Sequence, residues 1–419
     1  MELRDMPGKK ILLSAFECVP NRGSDAEVGW QWAISLAEAG HEVWVLTREV
    51  HRKYIEQEFE HAPIRQGVVH FIYFDYARFL SLTKNIKGRI YLYYYLWQWG
   101  AYRLATALHK QIGFDVVHHV TWVSVRQPSF MGGLGIPFYF GPVAGGEAAP
   151  WRLRLGYNIR QWLQDLLRDI FNAFVKVDPL MWWTFYKAKI IYVTSTDTLR
   201  LLPSIFRGKA QVELAIAHSH DPSHIEAELT QKKNFDRSKM RLLYVGRFIG
   251  WKGMHLGLMA MRHLLTAFPG ARLTLVGRGL EEKHWKTLAS SLMIEHALDW
   301  VEWVDHSKLS ELYAAHDVFL FPSLHDSGGI VVLEALSYGL PVVCLDLGGP
   351  AVIVNDGCGV VLSTRGKSAE NVAEGLAKEL RKLAENVNLR EKLSAGAVRR
   401  AKEFRWNVLV NKVHGTVMH

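Results

Sequence analysis

Short, nearly continuous apolar runs recur along this chain, and the segments between them carry apolar residues at helical spacing. Lys10-Ile11-Leu12-Leu13-Ser14 reads as a first strand, and Gly40-His41-Glu42-Val43-Trp44-Val45-Leu46-Thr47 as a turn into a second. Phe114-Asp115-Val116-Val117-His118-His119, Leu242-Leu243-Tyr244-Val245, Leu273-Thr274-Leu275-Val276 and Val318-Phe319-Leu320-Phe321 follow the same pattern. Such runs belong to strands covered on both faces, so the alternation predicts α/β architecture with parallel sheets between helical layers. Ligands of these sheets bind beyond the carboxyl ends of the strands. Here glycines stand at those ends: Gly246, Gly277, and the pair Gly328-Gly329.

With 419 residues and 49% hydrophobic positions, the chain exceeds one ordinary α/β domain and can fill two cores. The expected division is an N-terminal domain at 1–217, a linker at 218–237, a C-terminal domain at 238–395 and a last helix at 396–419. The linker carries Asp221-Pro222-Ser223 and the polar run Gln231-Lys232-Lys233-Asn234. No internal repeat is visible, so the domains are expected to share a fold and not a sequence.

Cys18, Cys344 and Cys358 are too widely spaced for a metal pattern or a disulfide framework, which suits a reducing cytoplasm. The first residues lack the apolar run of a signal peptide, and no stretch has the length of a spanning helix. The formal charge of +9 calls for a partner. No nucleic-acid-binding signature accompanies it, so nucleic acid is not expected. Two segments that look inserted, Arg78–Lys110 and Trp151–Lys189, combine basic and aromatic residues. In the second, Ile159, Trp162, Leu163, Leu166, Leu167, Ile170, Phe171 and Phe174 form a broad apolar stripe. Either these helices pack on the N-terminal sheet, or they lie on an anionic membrane surface. The second reading makes the protein peripheral on the inner face of the plasma membrane.

The densest chemistry lies at Asp326-Ser327-Gly328-Gly329-Ile330-Val331-Val332-Leu333-Glu334. Glycines before a helix let backbone N–H groups approach a ligand, and the helix start adds unpaired donors and a positive dipole end. That combination holds phosphate, and the flanking carboxylates can accept hydrogen bonds from sugar hydroxyls.

From Phe321-Pro322-Ser323 through Asp326, Gly328, Gly329 and Glu334-Ala335-Leu336 to Gly339 and Pro341, this stretch resembles retaining glycosyltransferases of the GT4 family. The family has glutamate at both ends of the interval; here Asp326 stands first, and Ser327 follows where glycine is usual. Gly246-Arg247, Trp251-Lys252-Gly253, Gly277-Arg278-Gly279 and Gly348-Gly349-Pro350 extend the resemblance over about 241–364. It implies a GT-B fold: two Rossmann-like domains facing across a cleft, with the last helix crossing back to the N-terminal domain. It also implies site roles. Arg247 and Lys252 would neutralise the donor diphosphate in place of a metal, since the chain has no Asp-x-Asp pair. Asp326 would hold the donor hexose, and Glu334, in the first turn of its helix, the ribose. Gly246, Gly328, Gly329 and Ile330 would face sugar and phosphate, and Arg278 the base. More loosely, Gly23 and Ser24 match the glycine loop near the phosphates, where Ser24 with Glu27 could equally form a capping box. His118, or else His119, matches the strand end beside the reacting sugar, and Glu147 after Gly145-Gly146 is a candidate acceptor contact.

The resulting expectation is a hexosyltransferase that moves sugar from a UDP- or GDP-sugar to a glycan or lipid-linked acceptor, with retention and without cofactor or metal. Two rivals stay open: a nucleotide-sugar epimerase of similar fold, and a non-catalytic sugar-nucleotide or glycan-binding module.

Overall fold

The computed structural model describes residues 8–22, 24–61, 68–76, 88–122, 124–157, 159–218, 239–302 and 304–415. Apart from His218, the predicted linker lies outside them, and so does Gly23. The chain forms two compact units. The first comprises 1–146, 171–216 and 406–419, the second 147–170 and 217–405. This departs from the sequence reading in one respect: 147–170 group with the second unit although they sit within the predicted N-terminal domain. The predicted last helix is also two helices, Val387–Lys402 and Trp406–His414, and only the latter belongs to the first unit.

The first unit is built on a parallel sheet of seven strands in the order β3-β2-β1-β4-β5-β6-β7. These are β1 (Lys10–Ala15), β2 (Glu42–Thr47), β3 (Val69–Tyr73), β4 (Val116–Thr121), β5 (Phe138–Val143), β6 (Ile190–Val193) and β7 (Ala210–Val212). Every residue of β4 is buried, as expected where helices cover both faces. The Arg89–Ile112 helix turns Tyr93, Tyr94, Trp97, Ala101 and Ala105 into this core, ending at the left-handed Gly113. The Trp406–His414 helix packs beside Ser24–Glu38, with Trp406 edge-on to Trp32 at 5.8 Å.

The second unit has six parallel strands in the order β10-β9-β8-β11-β12-β13. They are β8 (Met240–Val245), β9 (Ala271–Val276), β10 (Leu298–Val301), β11 (Val318–Phe321), β12 (Val342–Leu345) and β13 (Gly359–Leu362). The Ala369–Glu385 helix shows how sequence sets a layer. Ser368 caps its start by accepting from the Asn371 N–H at 3.2 Å, and Val372, Leu376, Leu380 and Leu383 form the buried stripe. In both sheets the strand order reverses beside the first strand, between β1 and β4 and between β8 and β11. At such a switch point the loops diverge to opposite faces and leave a crevice beyond the strand ends.

Candidate active site

The loops leaving β8 and β11 are laced together at the second switch point. The Leu324 N–H donates to the Trp251 carbonyl at 2.8 Å, and the Ser323 hydroxyl to the same oxygen at 3.2 Å. Gly253 has φ +68°, and a Cβ there would lie 2.0 Å from the Pro322 carbonyl oxygen, so only glycine allows the loops to close up. Across this seam Lys252 Nζ forms an ion pair with Asp326 Oδ2, its ammonium 4.9 Å from the centre of the Phe321 ring. Both side chains are largely shielded from water, which strengthens the pairing.

A third loop completes the setting. The Gly349 N–H donates to the Asp326 carbonyl at 2.7 Å, and Gly348, at φ +62°, passes so close that a Cβ would stand 2.2 Å from that oxygen. Beyond Asp326 the chain turns through left-handed Gly329 into the Ile330–Ser337 helix, with Ile330 exposed at its start. The first N–H groups of a helix have no intrahelical acceptor. Asp326, Gly328, Gly329 and Ile330 thus follow one another on the loop that faces Lys252 across the seam. Glu334 is the fifth residue of its helix, one turn later than the sequence reading had it, because the helix starts only after Gly329. Tyr313, from the His306–Ala315 helix, donates its hydroxyl to Glu334 Oε2 at 2.9 Å and orients the carboxylate. Burial, and then the Glu334 charge, push the Tyr313 phenol well above its usual pKa, so it stays a donor.

Arg247 and Arg278 are exposed, and their loops run side by side: the Gly246 N–H donates to the Val276 carbonyl and the Phe248 N–H to the Arg278 carbonyl, both at 3.0 Å. Among the described residues no carboxylate pairs with Arg247. The loop leaving β8 therefore carries one cation held by Asp326 and another that has no acidic partner among the described residues.

Sequence reasoning missed the support beneath this loop. The Ile159–Ala173 helix sends Gln161 to accept the Gly250 N–H at 2.7 Å. His325, next to Asp326, stacks on Trp251 at 5.1 Å. Its Nε2 donates to Asp165 Oδ1 at 3.2 Å and its Nδ1 accepts from Arg168 Nη1 at 2.7 Å. Burial, seconded by Arg168, lowers the His325 pKa against the opposing pull of Asp165, so the ring is neutral. Arg168 also donates to the Glu147 carbonyl at 3.0 Å. The side chain of Glu147, the candidate acceptor contact, is buried, and its carbonyl anchors Arg168.

In the first unit both candidate histidines are core residues. His118 is the third residue of β4 and not its end. Its Nε2 donates to the Gly141 carbonyl at 2.6 Å, and its Nδ1 faces His414 Nε2 at 2.9 Å. Burial holds its pKa at about 4. His119 points the other way, to Ser14 and Tyr94 at 3.3 Å each, with its pKa near 3 for the same reason. Alternation on a sheet covered on both faces sends each ring into a core, so the histidine expected beside the reacting sugar is a fully buried side chain in either case. The β1 and β4 ends carry Glu17 instead, ion-paired with Arg48 and 3.2 Å from His51. Ser24 opens the Ser24–Glu38 helix, and Glu27 accepts the Arg22 N–H at 3.1 Å.

One cluster among the described residues has metal-ligand chemistry: His263, Glu370 and Glu374, with ligand atoms within 4.8 Å of one another. It lies on the Met254–Ala267 and Ala369–Glu385 helices and not in the switch-point loops.

Two Rossmann-like units, with a cation–carboxylate pair and a glycine-led helix start at the second switch point, define a GT-B α/β protein. Residues 226–400 match the model of the family of glycosyl transferases group 1. A D-inositol 3-phosphate glycosyltransferase of Acidothermus cellulolyticus is 28% identical over 243 residues, 56% of this chain and 51% of that protein. The chain thus spans about half the length of this relative, and less of several others it matches. Among solved structures, sucrose-phosphate synthase from Thermosynechococcus elongatus matches with TM-score 0.61 at 18% identity, covering 97% of each chain. The Anabaena protein HepE in complex with UDP matches with TM-score 0.56 at 14% identity, covering 97% of this chain and 98% of that one. These two likenesses are of fold. Among the described residues no helix is long and apolar enough to cross a membrane.

Proposed function

We propose that this chain is a retaining glycosyltransferase using a UDP- or GDP-sugar as donor and a glycan or lipid-linked acceptor, in polysaccharide or cell-envelope assembly. The observation that carries the reading is the Lys252–Asp326 pair across the switch point, with Arg247 beside it and the Ile330–Ser337 helix start behind it. When a sugar leaves a nucleoside diphosphate, negative charge grows on the bridging phosphate oxygen. Fixed cations aimed at that oxygen lower the barrier. Lys252 and Arg247 supply them without a metal. Lys252 exchanges its bond to Asp326 for the phosphate, which frees the Asp326 carboxylate to accept a sugar hydroxyl. Glu334, oriented by Tyr313, takes the ribose hydroxyls. The bond from the anomeric carbon to phosphate breaks, the bond to the acceptor oxygen forms on the same face, and the departing phosphate oxygen receives the acceptor proton. Closure of the site would exclude water. The basic, aromatic stretches favour a lipid-linked acceptor and work at the cytoplasmic face of a membrane.

The test is a thermal-shift panel with UDP-, GDP- and ADP-sugars on the wild type, Lys252→Ala and Glu334→Ala. A ligand bound only by the folded state raises its stability by mass action. The reading expects one base class to shift the wild type and neither variant. Equal shifts in all three proteins would overturn it.

A further inference from the structure

The Ile159–Ala173 helix is amphipathic with its faces reversed. Its polar face points inward: Gln161 and Asp165 are buried, engaged with Gly250 and His325, while Arg168 reaches His325 and Glu147. Asp169 pairs with Arg154, and Asn172 donates to the Gly145 carbonyl. The apolar face points to solvent, with Ile159 73%, Leu163 48%, Leu167 54%, Ile170 47% and Phe171 56% exposed. Phe174, just beyond the helix, is 58% exposed. These positions recur every three or four residues and form one stripe. A row of open leucine and phenylalanine side chains held by a polar anchor marks an interaction site.

Charge selects the occupant. Between 151 and 189 the acids are Asp165, Asp169 and Asp178. The first two are paired within the anchor, and Asp178 caps the Pro179–Lys187 helix by accepting from the Leu180 N–H at 2.8 Å. Arg160 and Lys176, which flank the stripe along the chain, are exposed, and among the described residues no carboxylate pairs with them. A second copy of the chain docked face to face would bring these like charges together. A bilayer with anionic headgroups satisfies both the stripe and the cations.

We propose that the Ile159–Ala173 helix is a membrane-seating element that lies in the plane of an anionic lipid surface, with Leu163, Leu167, Ile170 and Phe171 among the acyl chains and Arg160 and Lys176 at the headgroups. A helix of 15 residues is about 22 Å long, enough to lie in an interface and too short to span one. Because the anchor side also holds Gly250 and His325, seating would fix the lipid surface at a set position relative to the donor loop. This deepens the lipid part of the proposed function and is independent of its transfer chemistry.

The test is co-sedimentation of the full chain with vesicles of phosphatidylglycerol and phosphatidylcholine, against phosphatidylcholine alone. The triple variant Leu163→Ser/Leu167→Ser/Phe171→Ser and the pair Arg160→Glu/Lys176→Glu are run beside the wild type. The wild type is expected to pellet with anionic vesicles at low salt and at least tenfold less with neutral ones. Each variant should lose at least tenfold, while keeping the wild-type melting temperature and any donor-induced thermal shift. A wild type that stays in the supernatant with anionic vesicles overturns the proposal. So does a serine variant that melts earlier, since the face would then be packed, or a wild-type dimer in sedimentation velocity that the serine variant abolishes. Failure of the donor panel alone would sink the transferase reading and leave this one standing.

Discussion

Lys252 and Asp326 close on each other across the seam between two loops, so the group expected to meet a donor diphosphate is already occupied by a carboxylate. Donor binding then replaces one anion with another at Lys252. Neutralising the aspartate should favour phosphate, because a shielded ammonium without a partner is costly. In Asp326→Asn the thermal shift produced by UDP alone should match or exceed that of the wild type, while sugar transfer falls at least tenfold. Lys252→Ala should lose the UDP shift. If Asp326→Asn lost it as completely as Lys252→Ala, the exchange would be wrong.

Gln161 accepts the Gly250 N–H from a helix that its surface pattern gives no reason to connect with the loop. Removing the acceptor leaves a buried N–H unpaired, at a cost of about 1–3 kcal/mol. Gln161→Ala should lower the urea midpoint and raise the donor KM, and Gln161→Glu, which keeps an acceptor oxygen, should restore both. An alanine variant with unchanged midpoint and KM would show that the Ile159–Ala173 helix does not hold the loop.

Tyr313 offers a way to test the proposed ribose and phosphate ends of the site separately. Its hydroxyl touches Glu334, assigned to the ribose, and not the Lys252–Asp326 seam. Tyr313→Phe removes one charge-assisted hydrogen bond, about 1.5–3 kcal/mol where it is fully felt. UDP should bind roughly tenfold more weakly, with pyrophosphate binding unchanged; competition titrations with the two ligands separate the outcomes. An equal loss for both would place Glu334 at the phosphates.

The parts legible in the sequence were those encoded locally. Apolar runs ending in glycine gave the strands, and the Asp326–Glu334 interval with Arg247 and Lys252 gave the loops of the second switch point. What escaped depends on pairing across sequence. Gln161 and Gly250, and Tyr313 and Glu334, leave no mark in either partner's own segment. Periodicity showed that 159–174 is amphipathic, but helical spacing alone does not say which face is inward. Here the inward face is polar, because it supports a loop instead of filling a core. The burial of His118 and His119 escaped for a related reason: alternation tells which face a residue takes, not whether that face meets solvent.

Buried histidines predict an acid-sensitive fold. His118 and His255 are held neutral by burial with pKa values near 4, His119 near 3, and His414 well below its usual value. One ring nitrogen of each is engaged: His255 Nε2 donates to the Leu153 carbonyl at 3.1 Å, and His118 and His414 face each other at 2.9 Å. An unfolded histidine takes up its proton near pH 6.5, whereas the folded ones do so only near 3 to 4. Between these values the unfolded state binds more protons, so stability rises with pH and is lost on acidification. The contribution is full above about pH 6.5, and each histidine lowers stability by at most about 1.4 kcal/mol per pH unit below it. Urea midpoints should therefore be level from pH 8 to 7 and fall steadily from 6.5 to 5, above the range where ordinary carboxylates titrate. His255→Asn should flatten that slope if its amide keeps the bond to Leu153. A midpoint that holds level down to pH 5 would mean that these rings can protonate in place.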